Sequence, residues 1–194
     1  MIRTVICEHL VIGSGPGGSV TAAHLAERGQ DVLLVEEGPH LEIDSAPNYS
    51  IEEMAQKYRN GGLNSTLGKT NITYLEGRCV GGGSEINAAL YHRPRWSTLR
   101  DWELRFQIDD FTPGHLEPHF EAVEAEQAVS THPGGVGPAS ALLKRGADRL
   151  GWKTGEIPRF WKYQKGEAGP KAGRRQSMTQ TLIPRLLKAG GMLL

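Results

Sequence analysis

His9-Leu10-Val11-Ile12-Gly13-Ser14-Gly15-Pro16-Gly17-Gly18-Ser19, running on through an alanine-rich stretch to Arg28, decides the fold. A short run ending in apolar residues meets a glycine turn, and the helical stretch from Ser19 to Arg28 stops at Gly29. A second apolar run, Val32-Leu33-Leu34-Val35, then closes on Glu36. This order of strand, glycine turn, helix and strand predicts two parallel neighbours joined by a right-handed crossover, and the short connections favour it. Thr4 to Ile12 imitates the apolar core of a secretion signal, but Glu8 and His9 interrupt it and no small-residue cleavage site follows. The stretch therefore reads as a buried first strand.

The glycines carry a mechanism as well as a turn. Gly13 permits the tight bend, Gly15 lets a pyrophosphate approach the backbone, and Gly18 with Ala22 lets the helix pack closely on the strands. Ser14, Pro16 and Gly17 complete the loop, and the helix start offers amides and a partial positive charge of about half a unit to phosphates. Glu36 lies about 20 residues further on, where a carboxylate accepts hydrogen bonds from both hydroxyls of an adenosine ribose. A 2′-phosphate would meet like charge there. Dinucleotide binding is the expected chemistry.

Further along, Ser50-Ile51-Glu52-Glu53 forms a capping box that predicts a helix to about Arg59, ended by Asn60-Gly61. Residues 61–76 look irregular, and a second glycine cluster follows at Gly81-Gly82-Gly83-Ser84. Thr112-Pro113 predicts a helix through about Gln127 with Leu116, Phe120 and Val123 on its apolar face. Thr131 to Pro138 reads as a loop, Ser140 to Leu150 as a helix, and Gln164 to Arg175 as an exposed basic loop. Ser177 to Lys188 reads as a helix with a kink at Pro184. Gly190-Gly191 stops it, and Met192 opens another strand.

Composition sets the bounds. The chain has 194 residues, 25 of them glycine, with 38% hydrophobic and 23% charged residues. That describes a globular protein able to bury a core. Lysine and arginine number 22, against 22 aspartates and glutamates, so nothing in the net charge advertises nucleic acid as a partner. The balance hides an asymmetry: before Lys57 only Arg3 and Arg28 oppose nine acidic residues, and from Ile157 onward eight basic residues face Glu167 alone. This is expected to be an exposed basic face, with a role toward an anionic ligand as the alternative. No stretch approaches the roughly 18 apolar residues of a membrane span. Cys7 and Cys79 show neither C-x-x-C nor metal-ligand spacing, which points to buried or incidental thiols in a reduced, cytoplasmic chain. No histidine pair has the spacing of a metal site, so no metal is expected.

The segment Gly77-Arg78-Cys79-Val80-Gly81-Gly82-Gly83-Ser84-Glu85-Ile86-Asn87-Ala88-Ala89-Leu90-Tyr91-His92-Arg93-Pro94 resembles the N-terminal signature of the glucose-methanol-choline (GMC) flavin oxidoreductases. Val35-Glu36-Glu37-Gly38 is similar to that family's strand ending, and Arg175-Gln176-Ser177-Met178-Thr179 resembles a stretch of its bacterial members. The resemblance covers nearly the whole chain. It implies that the first loop, Gly13 to Gly18, holds the diphosphate of FAD, with Glu36 and Glu37 at the adenosine side. It also implies that Val80, Gly82, Gly83 and Ser84 pass alongside the ribityl chain and flavin ring, the latter two glycines and the serine offering donors, while Asn87 and Ala88 line the ring. Where some members attach FAD through a histidine, this chain has Ile86, so non-covalent FAD is expected. The family's catalytic histidine and its partner lie near the end of a much longer chain. No catalytic residue is therefore expected before Leu194, and His92 is expected to be structural or to support the site from behind.

The resemblance thus implies an α/β, Rossmann-like FAD-binding fold of the glutathione-reductase type, with a parallel sheet, helical excursions and an incomplete C-terminal side. The expected division is an FAD-binding core with a lid-like segment over residues 1–130, then a linker, helices and the start of the next part over 131–194. The expected parent reaction is oxidation of a small-molecule alcohol to a carbonyl by hydride transfer to FAD, with the electron acceptor left open. Two alternatives remain: a non-catalytic dinucleotide-binding module or partial gene product, and a nicotinamide-dependent dehydrogenase. Missing strand partners would leave apolar faces uncovered and the chain poorly stable alone.

Overall fold

The computed structural model describes residues 4–166 and 172–194. In chain order the elements are strand β1 (His9–Ile12), helix α1 (Pro16–Glu27), β2 (Val32–Val35), α2 (Ile51–Lys57), β3 (Asn64–Ser65), β4 (Thr73–Tyr74), α3 (Trp96–Phe106), α4 (Pro113–Glu126), β5 (Val129–Ser130), α5 (Pro138–Arg149), β6 (Arg159–Lys162), β7 (Arg174–Arg175), α6 (Leu182–Lys188) and β8 (Met192–Leu193). They fall into two units. One comprises the residues up to Ala88 together with Ser177–Leu194; the other is Ala89–Gln176. The first unit is discontinuous in sequence because the last residues of the chain return to its sheet.

That sheet has the order β1-β2-β8 and is parallel throughout. His9 pairs with Val32 and Ile12 with Val35, while Leu33 pairs with Met192. The strand expected to open at Met192 is β8, which lies parallel beside β2. Helices α1 and α6 cover one face. Ala22, Ala23 and Ala26 of α1 meet Leu182, Ile183 and Leu186 of α6 over Val32 and Leu34, with Val80 and Met178 closing the cluster. Alanines on α1 bring its backbone close to the strands, and Arg185 of α6 adds a bidentate pair with Glu27 at 2.7 and 2.8 Å.

The expectation of a buried first strand is corrected. β1 is an edge strand of alternating exposure, with Leu10 at 56% and Ile12 at 80% of full exposure. Only alternate residues of a strand face the helix layer, and among the described residues of its unit no element covers the opposite face of β1.

Helix α2 starts at the capping box: Ser50 Oγ accepts from Glu53 N at 3.1 Å, and Glu53 Oε2 accepts from Tyr49 N at 2.5 Å. Its second carboxylate oxygen pairs with Lys57 Nζ at 3.1 Å, both side chains being 2% exposed. Residues 61–76, expected to be irregular, hold the short antiparallel pair β3 and β4. The kink expected at Pro184 does not occur. α6 begins only at Leu182, so the proline occupies the first helical turn, where its missing N–H breaks no helical bond.

The second unit contains an antiparallel sheet of order β5-β6-β7 and helices α3, α4 and α5. α4 runs as expected from the Thr112 cap, but Leu116 and Phe120 are only half-buried and Val123 is exposed. Arg174 and Arg175, expected in an exposed loop, form β7, and Arg175 is buried; residues 167–171 of that loop lie outside the described residues. Arg93 binds Glu124 through Nε (2.5 Å) and Nη2 (2.8 Å) and Glu117 through Nη1 (2.5 Å), with its guanidinium 5.4 Å from the Phe120 ring centre. Tyr91 also donates to Glu124 at 2.8 Å. The Arg93 hydrogen bonds, then that of Tyr91, hold the Glu124 carboxyl down at about 2. Among the described residues no helix is long and apolar enough to cross a membrane.

Candidate dinucleotide site

All the residues singled out by the two glycine clusters lie in the first unit. Gly13 follows β1 with φ +89°, a left-handed conformation that glycine adopts without a Cβ clash, and its amide donates to Val35 O at 2.8 Å. Gly15 caps α1, and Pro16 is its first residue. The helical ladder opens with Ser19 N donating to Gly15 O at 2.9 Å, which leaves the Gly17 and Gly18 amides ahead of the ladder at the positive end of the helix. Gly18 is required for packing: a Cβ there would stand 1.9 Å from Gly13 O.

The second cluster packs directly on the first. Gly81 and Gly82 both have positive φ, +93° and +55°, and a Cβ on Gly82 would lie 2.9 Å from Gly15 Cα. From Gly82 to Glu85 the chain makes a turn of tight helix. Gly77 backs that turn, since a Cβ on it would strike Gly82 at 2.5 Å. Cβ atoms on Gly13, Gly15, Gly17 and Gly83 would instead meet nothing within 4 Å. The two loops thus meet edge to edge through Gly82 and Gly15 and leave open, side-chain-free backbone beside them. That arrangement fits a ligand that spans both loops and needs close backbone approach, as the diphosphate and flavin halves of FAD do.

Several expected ligand contacts turn out to be internal. Ser14 is fully buried; its N–H and Oγ both donate to Glu36 Oε2, at 2.9 and 2.7 Å, while Oγ accepts from Gly81 N at 2.9 Å. Glu36 Oε1 accepts from Gly38 N at 3.0 Å. Three of the roughly four acceptor positions of a carboxylate are therefore taken by protein donors, leaving room for about one ribose hydroxyl rather than the two expected. Glu37 is exposed and forms ion pairs with Arg59 and with Arg78, the latter at 3.2 Å. The Arg59 hydrogen bond, then that of Arg78, lowers the Glu37 pKa.

Ser84 is likewise turned inward. Its Oγ donates to Gly81 O at 2.7 Å and accepts from Met178 N at 3.0 Å, so the hydroxyl donor expected for the flavin is occupied. Val80 belongs to the hydrophobic core, and only its backbone faces the loop, its N–H donating to Pro39 O at 3.0 Å. Asn87 and Ala88 are exposed, and the Asn87 amide donates to Gly83 O at 3.1 Å.

Sequence reasoning passed over Glu85. It is 3% exposed, accepts from Thr179 N and Oγ1 at 3.2 and 2.8 Å, and fills the space a Cβ on Gly81 would need. With Ser84 it fastens the second loop to the segment Ser177–Thr179. A carboxylate between a serine and an isoleucine is the one available signal, and it does not disclose a partner so distant in sequence.

A parallel sheet whose first crossover presents an open glycine loop at a helix start, with a second glycine loop beside it, defines a dinucleotide-binding fold. Comparison with known proteins narrows the class. Residues 11–53 match the model of the NAD(P)-binding Rossmann-like domain, and residues 53–194 match that of the GMC oxidoreductase family. The chain belongs to the GMC oxidoreductase family, and FAD is the cofactor that this membership carries.

A GMC-type oxidoreductase of Sinorhizobium fredii, y4nJ, is 37% identical over 95% of this chain and 37% of its own. The long-chain-alcohol oxidase FAO4B of Arabidopsis thaliana is 30% identical over 81% of this chain and 21% of its own. In fold, the crystal structure of pyridoxine 4-oxidase from Mesorbium loti superposes with a TM-score of 0.68 at 19% identity, over 97% of this chain and 42% of that one. The chain therefore spans less than half the length of each of these relatives.

Proposed function

We propose that the chain is the FAD-binding part of a flavin enzyme that oxidises the CH–OH group of a small-molecule alcohol to a carbonyl. The observation that carries this is the contact of two open glycine loops, Gly82 against Gly15, within a family of oxidoreductases that includes alcohol oxidases. Gly17 and Gly18 amides at the start of α1 bind the diphosphate. Glu36, at the end of β2, takes one ribose hydroxyl, and its charge disfavours a 2′-phosphate. The exposed backbone from Gly83 to Ala88 lies along the flavin half. When bound, FAD accepts the hydride from the carbon that bears the hydroxyl.

No histidine falls among the residues that form this cradle, and His92 is exposed while its neighbours Tyr91 and Arg93 are held by Glu124. Removal of the hydroxyl proton needs a base that this cradle does not itself supply. Ile86 stands where covalent attachment would need a histidine, so the flavin is dissociable. The test is a dye-coupled assay of the FAD-loaded chain with primary and secondary alcohols, followed by acid precipitation. The expected outcome is no sustained turnover, with all flavin released to the supernatant. Steady alcohol oxidation would place the base within the chain, and flavin remaining in the pellet would contradict dissociable binding.

A further inference from the structure

The buried hydroxyl of Ser14 joins three segments that are far apart in sequence. It donates to Glu36 at the end of β2 (2.7 Å) and accepts from the Gly81 amide of the second glycine loop (2.9 Å). Its own carbonyl accepts from Ser19 Oγ of α1 at 2.6 Å, and Ser19 is also fully buried. Glu36 in turn holds Gly38, where a Cβ would lie 2.4 Å from the backbone of Arg78 and Cys79, the approach to the second loop. Ser14 and Ser19 are both fully buried, so these contacts from the serines are made inside the protein. The Gly81 amide is buried, so loss of its acceptor would leave an unsatisfied donor beside the Gly82–Gly15 contact.

We propose that Ser14 is a positioning residue that sets the second glycine loop against the first, and so fixes the span over which an extended dinucleotide can engage both. This rests on the assignment of the two loops as one FAD cradle. ADP would touch the first loop and Glu36 alone, whereas FAD must also reach the second loop. Glu36 keeps its bonds from the Ser14 and Gly38 amides when the hydroxyl is removed, whereas Gly81 loses its acceptor, so removal loosens FAD in preference to ADP; mere damage to the first loop would loosen both equally.

The test compares wild-type, Ser14→Ala and Ser14→Thr chains by titration with FAD and with ADP, together with hydrogen exchange at the Gly81 amide without ligand. The expected result for Ser14→Ala is an FAD affinity reduced by about tenfold with ADP changed by less than about twofold, and Gly81 exchange faster by about tenfold. Ser14→Thr, which keeps a hydroxyl, restores the ratio. If Ser14→Ala is too unstable to titrate, Ser14→Cys substitutes a weaker donor and acceptor and is expected to show the same preference. Equal loosening of both ligands, or Gly81 exchange unchanged, would overturn the positioning role and leave the cradle standing. A wild-type chain that binds ADP and takes up no FAD would overturn the cradle itself.

Discussion

Glycine does two different jobs in this site, and substitution separates them. At Gly18 a methyl group collides with the Gly13 carbonyl, 1.9 Å away and backbone, so it cannot swing aside. Gly18→Ala is expected to cost about 1–3 kcal/mol in a denaturant titration. At Gly15, where φ is −62° and a Cβ meets only open space, Gly15→Ala is expected to stay within about 0.5 kcal/mol of the parent while FAD uptake falls. Matching losses of stability at both positions would contradict this split. The turn at Gly13 and the close packing at Gly18 were legible in the sequence, because each follows from a local turn. The roles of Ser14 and Ser84 were not legible. Their hydroxyls face partners at Gly81 and Met178, and only the folded chain shows whether a serine in a glycine loop points outward or in.

Among the elements, β2 and β1 make a direct contrast. Leu34 is fully buried between the sheet and the helix layer, whereas Ile12 points away from it. Leu34→Ala is expected to destabilise the chain by about 2–5 kcal/mol, and Ile12→Thr by less than about 0.5 kcal/mol, measured by chemical unfolding. In the second unit, Glu124 supplies a pH signature. Its carboxyl sits at about 2 in the folded chain against about 4.3 when unfolded, so its contribution is complete above the unfolded value and is lost as pH falls toward 2. Thermal melts between pH 5 and 2 should show this slope in the parent and a shallower one in Glu124→Gln; identical slopes would exclude it. Strands β1 and β2 and the Ser50 cap could be read directly, since apolar runs and a capping box are local signals. Helix α3 was passed over although Trp96, Leu99, Trp102 and Phe106 recur at helical spacing, and strands β6 and β7 could not be read, because the sheet of the second unit depends on pairings such as Trp161 with Arg175 that no local pattern announces.

At the scale of the whole molecule, the return of Ser177–Leu194 to the first sheet makes the N-terminal motif and the C-terminal segment one unit. β8 completes the pairing of β2, and Met178 and Thr179 hold the second glycine loop through Ser84 and Glu85. The resemblance at Arg175 to Thr179 thereby acquires a physical role, as the seat of that loop. The proposed FAD cradle depends on the two loops being held together in this way. The most direct measurement is titration of the chain with FAD and, separately, NAD, followed by flavin absorbance and calorimetry. One equivalent of FAD with a structured, shifted flavin spectrum and no saturable NAD binding is the predicted result. Saturable NAD binding with no uptake of FAD would contradict it.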